Sequence, residues 1–373
     1  MHTPFLPPSV VLVAAVLCGT LAAAAPAADA AARAKRGTPG APAAAARDDP
    51  SRREDVRAFI DEMARRHGFV PGELETLFSR VRLSPAVIDL ITPPASPRAR
   101  SWLAYRARFL DPARVDGGVA LWNRFAADLR RAETQYGVPA EIIVAIIGVE
   151  TVYGRNSGNW RVIDALATLA FDYPKRAPFF RGELENFLLF VREHDLDVFS
   201  VRGSYAGAIG IPQFMPSSWR RWAVDFDGDG RVDLRESFVD AIGSVGSFLH
   251  AHGWVAGAPV AFPATVAGDD YRELALRDIL PSIPIGDLAR RGVTSTGLER
   301  AGLPPDTPAA LIDLMTPDRP SEYWIGLTNF YVITRYNRSS FYAMSVFELA
   351  QAIRARRAAP AAPVQAGNTP VER

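Results

Sequence analysis

The chain has 373 residues, of which 48% are hydrophobic, so it is long enough and apolar enough to bury a core and to hold more than one folding unit. Its 42 Lys and Arg nearly balance 41 Asp and Glu, and the formal net charge of +1 argues against a protein held to nucleic acid by a global basic field. The one cysteine, Cys18, lies in an N-terminal apolar run, which excludes disulfides and cysteine-ligated metals.

Residues 9–25, "SVVLVAAVLCGTLAAAA", have the apolar run and small-residue exit of a secretory signal, giving an expected leader of residues 1–28 and an exported, periplasmic location. The run is short and Ala-rich for a membrane anchor. Acylation of Cys18 is the other anchor to consider, although Ala15-Val16-Leu17 is a poor signal for it. Residues 29–50, rich in Ala, Pro and Arg, read as a disordered linker.

Residues 51–118 read as a helical domain. Val56, Phe59, Ile60 and Met63 recur at helical spacing, and Pro71 suits the first turn of a second helix. An aromatic stretch, "WLAYRARF" at 102–109, contains Tyr105. Residues 119–257 read as the central unit. Trp122, Phe125, Ala126, Leu129 and Tyr136 line one helical face from Val119 to Tyr136. Gly137 can end that helix, and Pro139 suits the start of the next. From Ile142 to Val149 the next helix is apolar all round, which predicts a buried central helix. Further helices are expected at 165–171, 181–196 and 236–252, with a Gly-rich segment at 201–217 between them. Residues 258–320, broken by Pro and Gly, read as a small α+β insertion. Residues 321–356 read as a return to the central unit, closing with a helix near 343–356, and 357–373 as a disordered tail. The fold class is thus mainly α, with a minor α+β part.

Four stretches carry candidate chemistry. In "AIIGVETVYGRNSG", Glu150 ends the apolar helix. Partial desolvation there would raise its pKa, as a general acid requires; a solvent-facing helix end is the plainer reading of this stretch alone. "GSYAGAIGIPQFMPSSW" at 203–219 combines bare glycine backbone with Ser204 and Gln213 and no charge, a surface apt for amides and hydroxyls. "DFDGDGRVDLRE" fits a twelve-residue calcium loop, with Asp225, Asp227 and Asp229 at positions one, three and five. Gly230 stands at six, the carbonyl of Arg231 at seven, Asp233 at nine and Glu236 at twelve. No second loop pairs with it, which favours one structural ion over a sensor. "RYN" at 335–337 brings Tyr336 and Asn337 together after an aromatic cluster, for sugar contact or for core packing. The five histidines show no metal spacing, and no Ser-His-Asp set is evident.

Taken together, "GVETVYGRNSG", "FDYPKRAPFFRGELENFLL", "GSYAGAIGIPQFMPSSW", the acidic loop, "DAIGSVGSFLHAHGW" and "ITRYNRSSFYAMSVFELA" resemble the lytic murein transglycosylases of the membrane-bound B type. The resemblance runs in order from about residue 53 to 356. It implies a lysozyme-like core, one bound calcium, no organic cofactor, export, and peptidoglycan strands as the partner of a monomeric enzyme. Other cell-wall enzymes become candidate partners. It also implies that Glu150 is the single acid/base and that Ser204 holds the substrate N-acetyl group. Gln213, Phe214, Tyr105, Tyr336 and Asn337 would contact glycan, and Lys175 and Arg176 would face the peptide side. Phe248 stands where the family pattern has a tyrosine, and Asp240 matches a later aspartate that closes the ion shell, in competition with Glu236.

A glycosidase ordinarily needs two carboxylates, about 5 Å apart for retention or 6.5–9.5 Å for inversion. No second acid stands out, so substrate assistance is the expected chemistry: Glu150 protonates the glycosidic oxygen, the 2-acetamido group attacks C1, and the C6 hydroxyl closes a 1,6-anhydro ring. A hydrolytic muramidase on the same fold and a non-catalytic peptidoglycan-binding protein are the alternatives.

Overall fold

The structure, a computed structural model, describes residues 49–92 and 101–359. The expected leader, Cys18, nearly all of the expected linker and the tail beyond Ala359 lie outside the described residues.

The order of elements begins α1 (Glu54–His67), α2 (Pro71–Ser79), α3 (Pro85–Ile91), α4 (Trp102–Arg106), α5 (Pro112–Arg124), α6 (Ala126–Tyr136) and α7 (Ala140–Thr151). It continues β1 (Trp160–Arg161), α8 (Val162–Asp172), α9 (Ala177–Glu193), β2 (Arg202–Gly203), α10 (Pro216–Trp222) and α11 (Phe238–Ala251). The insertion holds β3 (Ala261–Val266), α12 (Tyr271–Ala275), β4 (Ile283–Pro284), α13 (Ile285–Arg290), β5 (Val293–Thr294), α14 (Thr296–Ala301), β6 (Pro308–Leu314) and β7 (Glu322–Gly326). Helices α15 (Thr328–Thr334) and α16 (Ser340–Ala358) close the chain.

The apolar helix α7 lies at the centre. Every residue from Ile142 to Val149 is buried, between α5 and α16 on one side and α6 and α11 on the other. Six large aliphatic side chains there, each worth about 1.5–3 kcal/mol on burial, make this helix the anchor of the fold.

The helices expected at 51–118 divide between two supports. Helices α1–α3 pack on the α8–α9 hairpin: Phe59 and Phe78 meet Phe171 edge-on at 5.9 and 6.3 Å, and Arg53 bonds Asp172 at 2.6 Å. Helices α4 and α5 pack instead on α16. The helix read from Val119 to Tyr136 is two. It breaks at Phe125 (φ −113°, ψ 32°), whose ring stacks on Phe238 at 5.5 Å. The insertion forms a five-stranded antiparallel sheet in the order β4-β6-β7-β3-β5. Its central strand β7 falls after the boundary expected at residue 320, so the return to the core begins with α15 rather than at 321. Strand periodicity over five residues was too short to reveal that β7 pairs on both edges.

Three glycines open a slot at the end of α7. A Cβ at Gly117 would stand 2.8 Å from the Tyr153 ring, one at Gly118 2.7 Å from its hydroxyl, and one at Gly148 2.6 Å from its hydroxyl. Tyr153 fills the slot and donates its O–H to the Arg114 carbonyl at 2.7 Å. Gly148→Ala is therefore expected to destabilise the protein by about 1–3 kcal/mol through overpacking. Chemical denaturation checks this, and an unchanged midpoint would mean that the ring does not depend on the slot.

Candidate active site

Helix α7 ends abruptly behind Glu150. Val152 (φ 52°) and Tyr153 (φ 60°) are both left-handed, and for a β-branched residue such a conformation costs on the order of 1–3 kcal/mol. The reversal is held by Tyr153 in its slot and by Thr151, whose Oγ1 donates to the Ile211 carbonyl at 2.8 Å and accepts from the Gly154 N–H at 2.9 Å. Each such bond contributes about 1 kcal/mol, so together they offset the strain. The result is a carboxyl pinned at the end of a buried helix, next to the Gly-rich loop.

Glu150 keeps some accessible surface, as a group that meets a ligand must, yet protein packs closely enough around its carboxyl to raise its pKa to about 7. Burial is the cause, and the C-terminal end of the helix dipole acts in the same direction. The Tyr342 hydroxyl opposes it, donating to Glu150 Oε1 at 2.6 Å. Among the described residues no second carboxylate bears on the titration of Glu150.

Rings line the acid. Tyr342 stacks on Tyr336 at 6.5 Å with an interplanar angle of 14°, and Tyr336 donates to the Pro212 carbonyl at 2.6 Å. Phe214 and Phe248 touch Tyr336 at 5.9 and 4.9 Å. Tyr105 packs on Phe341 at 5.6 Å, and its phenol is pushed up by burial and by the Glu150 charge. Of the expected residues, Tyr105 and Tyr336 thus feel the Glu150 charge, and Phe214 packs against Tyr336.

The Gly-rich loop is tightly wound. Gly210 adopts φ 78° where a Cβ would stand 2.4 Å from the Leu234 carbonyl oxygen. Ser204 is 1% exposed, and its Oγ accepts from the amides of Ala206 (3.3 Å) and Ala208 (3.0 Å). Its O–H proton has no acceptor among the described residues, so the hydroxyl shapes the loop and keeps one donor. Gln213 spends both amide hydrogens, on the Ser157 carbonyl at 3.0 Å and the Gly210 carbonyl at 2.9 Å, leaving its Oε1 as an acceptor. Asn337 is 7% exposed and its carboxamide bonds to nothing among the described residues.

The basic pair lies on a 3-10 turn between α8 and α9. Lys175 is exposed, while the Arg176 guanidinium lies over Phe179 at 4.3 Å.

In the acidic loop, carboxylate oxygens of Asp225, Asp227 and Asp229 lie within 4.8 Å of one another, and Asp227 and Asp229 are exposed. Gly230 makes the turn at φ 89°. Asp225 accepts from the amides of Gly228 and Gly230 at 2.7 and 2.8 Å, and Asp229 from that of Arg231 at 2.8 Å. Asp240 is buried under the loop, accepting from Phe226 and Asp227 on one oxygen and from Asp233 on the other. Glu236 is exposed and its carboxylate makes no bond to the loop. Asp240, and not Glu236, thus hydrogen-bonds the backbone of the acidic loop.

Tyr342 was not singled out as a site residue by the sequence. It lies 192 positions from Glu150, and one phenol in an apolar helix reads as core. Thr151 and Tyr153 were missed because their roles depend on the unusual backbone at Val152.

Comparison with known proteins agrees with this geometry. Residues 51–351 match the Transglycosylase SLT domain family. The chain is 42% identical over 320 residues to membrane-bound lytic murein transglycosylase B of Escherichia coli (strain K12), covering 82% of this chain and 84% of that protein. The crystal structure of soluble lytic transglycosylase SltB1 from Pseudomonas aeruginosa is 49% identical with a TM-score of 0.75, covering 82% of this chain and 99% of that one. The structure of Escherichia coli lytic transglycosylase Slt35 in complex with calcium is 42% identical with a TM-score of 0.72, covering 82% and 94%. This chain therefore belongs to the Transglycosylase SLT domain family, among the lytic murein transglycosylases.

Proposed function

We propose that this enzyme cleaves the β-1,4 bond between N-acetylmuramic acid and N-acetylglucosamine in peptidoglycan, leaving a 1,6-anhydromuramic acid end, with Glu150 as its only acid and base. The observation that carries this reading is a carboxyl raised to about 7 by burial, on whose titration no second carboxylate bears among the described residues. Near neutral pH such a group can both give and take a proton. Its protonated form donates to the glycosidic oxygen as the C1–O4 bond breaks. The substrate's acetamido oxygen closes on C1 to form an oxazolinium. The Glu150 carboxylate then takes the C6 hydroxyl proton as O6 displaces the acetamido oxygen at C1. No water is consumed, so the chemistry needs no second carboxylate to activate one.

The supporting roles follow from the hydrogen bonds. Tyr342 holds Oε1 and leaves Oε2 to deliver the proton, and its O–H stabilises the carboxylate formed midway. The unspent Ser204 proton suits the acetamido oxygen, while Gln213 Oε1 and the Asn337 carboxamide suit sugar hydroxyls or amides. Lys175 and Arg176, on the turn between α8 and α9, suit the peptide carboxylates of the strand. Export, expected from residues 9–25, brings the enzyme to that substrate. The hydrolytic alternative predicts reducing ends in place of anhydro ends, so mass spectrometry of muropeptides from digested sacculi tests the proposal; reducing ends would overturn it.

We also infer that the acidic loop holds one structural calcium. Three clustered carboxylates repel one another without a cation, and the donors are hard oxygens. Asp225, Asp227, Asp229 and the Arg231 carbonyl would supply ligands, with Asp240 as the inner carboxylate. The ion would tie the segment after α10 to the start of α11 and supply no chemistry to the reaction. Calcium at a hundredfold excess over its Kd is expected to stabilise the fold by about 2.7 kcal/mol, read as a rise in Tm that a chelator reverses. An unchanged Tm would leave only a solvated acidic turn.

Glu150→Gln is expected to bind glycan and release no soluble muropeptide. The sign of its stability effect follows from the raised pKa. In the folded state Glu150 stays protonated up to about pH 7, while the unfolded group ionises near the ordinary value of 4.5. Folding therefore loses stability as pH rises through this window, at about 1.4 kcal/mol per unit. The variant lacks this loss, so at pH 8 it is expected to be more stable than wild type by on the order of 3 kcal/mol, with no such advantage at pH 4. Denaturation at the two pH values checks the difference.

Tyr342→Phe removes the one bond that lowers the Glu150 pKa. The alkaline limb of the kcat profile is then expected to move to higher pH, with kcat itself reduced. A limb that stays in place would assign that titration to another group.

A further inference from the structure

The aromatic contacts around Glu150 continue past the residues assigned to the reaction. Phe248, 4.9 Å from Tyr336, also meets Trp222 at 5.0 Å and His252 at 4.1 Å, and these two meet each other at 4.6 Å. Tyr342, Tyr336, Phe214 and Phe248 are each at most 5% exposed, whereas Trp222 and His252 keep accessible surface. The series of rings thus begins at the acid and surfaces where α10 ends and α11 ends.

The polar atoms at this outer end suit a sugar. The indole N–H groups of Trp102, Trp219 and Trp254 are buried, but that of Trp222 is not, and no protein acceptor takes it among the described residues. His252 Nδ1 lies 2.7 Å from the Phe248 carbonyl, which can only accept, so Nδ1 carries the proton and Nε2 is left as an acceptor. Burial and the nearby Arg335 guanidinium hold its pKa below the usual value, which keeps the ring neutral. An apolar face, one donor and one acceptor beside a guanidinium match a pyranose ring that carries hydroxyls and, on muramic sugars, a carboxyl-derived side chain.

We propose that Trp222 and His252 form an outer platform that binds a distal sugar of the same glycan strand, stacking it on Trp222 while His252 Nε2 accepts a hydrogen bond from one of its hydroxyls. This rests on the transglycosylase reading above. The platform touches no reacting atom, so it adds affinity for long strands and leaves the chemical step alone.

The test uses the full chain with two substrates, intact sacculi and a purified tetrasaccharide of the glycan. Trp222→Ala is expected to raise KM on sacculi about five- to tenfold, the size of one aromatic contact, with kcat unchanged. On the tetrasaccharide its kinetics should match wild type, and Trp222→Tyr should restore KM on sacculi. His252→Ala is expected to give a smaller rise of the same kind. Equal losses on both substrates would make Trp222 a packing residue and overturn the proposal, as would no change on either. If wild-type protein cuts neither substrate, the transglycosylase reading falls and this proposal with it; if it cuts both and the variant ignores strand length, only the platform falls.

Discussion

The burial of one carboxyl at the end of an apolar helix is the constraint on which the rest depends. Helix α7 gains its stability from large aliphatic side chains on all sides, and that burial exceeds the few kcal/mol that a desolvated Glu150 costs. The same packing that anchors the fold therefore tunes the acid. A single phenol, Tyr342, limits how far the pKa rises, since its O–H favours the ionised form. Acid and base duty on one residue needs this compromise: full desolvation would fix the proton in place, and full solvation would lose it before the leaving oxygen could use it.

Keeping that carboxyl at the surface of the core requires the chain to turn away at once. The left-handed backbone at Val152 and Tyr153 does this, and its strain is met by a distributed set of small gains. The glycine slot admits the Tyr153 ring, the Arg114 carbonyl accepts a hydrogen bond from its hydroxyl, and Thr151 ties the turn to the Gly-rich loop through Ile211. The site is thus assembled from α5, α7, the loop before α10, and α16. Sequence-distant pieces are held together by hydrogen bonds that each contribute little.

The Gly-rich loop and the acidic loop organise themselves before they organise anything else. Ser204 caps the amides of Ala206 and Ala208, and Gln213 returns both amide hydrogens to the backbone. What remains for a ligand is the residue of those commitments: one hydroxyl proton and one amide oxygen. Asp240 likewise spends both oxygens on the amides of the acidic loop, so the geometry around Asp225, Asp227 and Asp229 is set from beneath.

Much of this was legible in the amino-acid sequence, because local periodicity and short motifs carry local information. The all-apolar run before Glu150 predicts a buried helix, and burial alone raises a carboxyl pKa. The spacing of Asp225, Asp227, Asp229 and Gly230 specifies a tight acidic turn, since each carboxylate reaches amides only two to five residues away. The tertiary structure alone decided what depends on contacts between distant segments. It brought Tyr342 to Glu150 across 192 positions, divided the first helices between the α8–α9 hairpin and α16, and made β7 the centre of a sheet that the sequence divided at 320. It also buried Asp240 beneath the acidic loop and left Glu236 exposed, because position on helix α11, not motif spacing, determines which carboxyl points inward. A hydrogen bond or ring contact between distant segments leaves no periodic trace in either one, so its partners become visible only when the chain is folded.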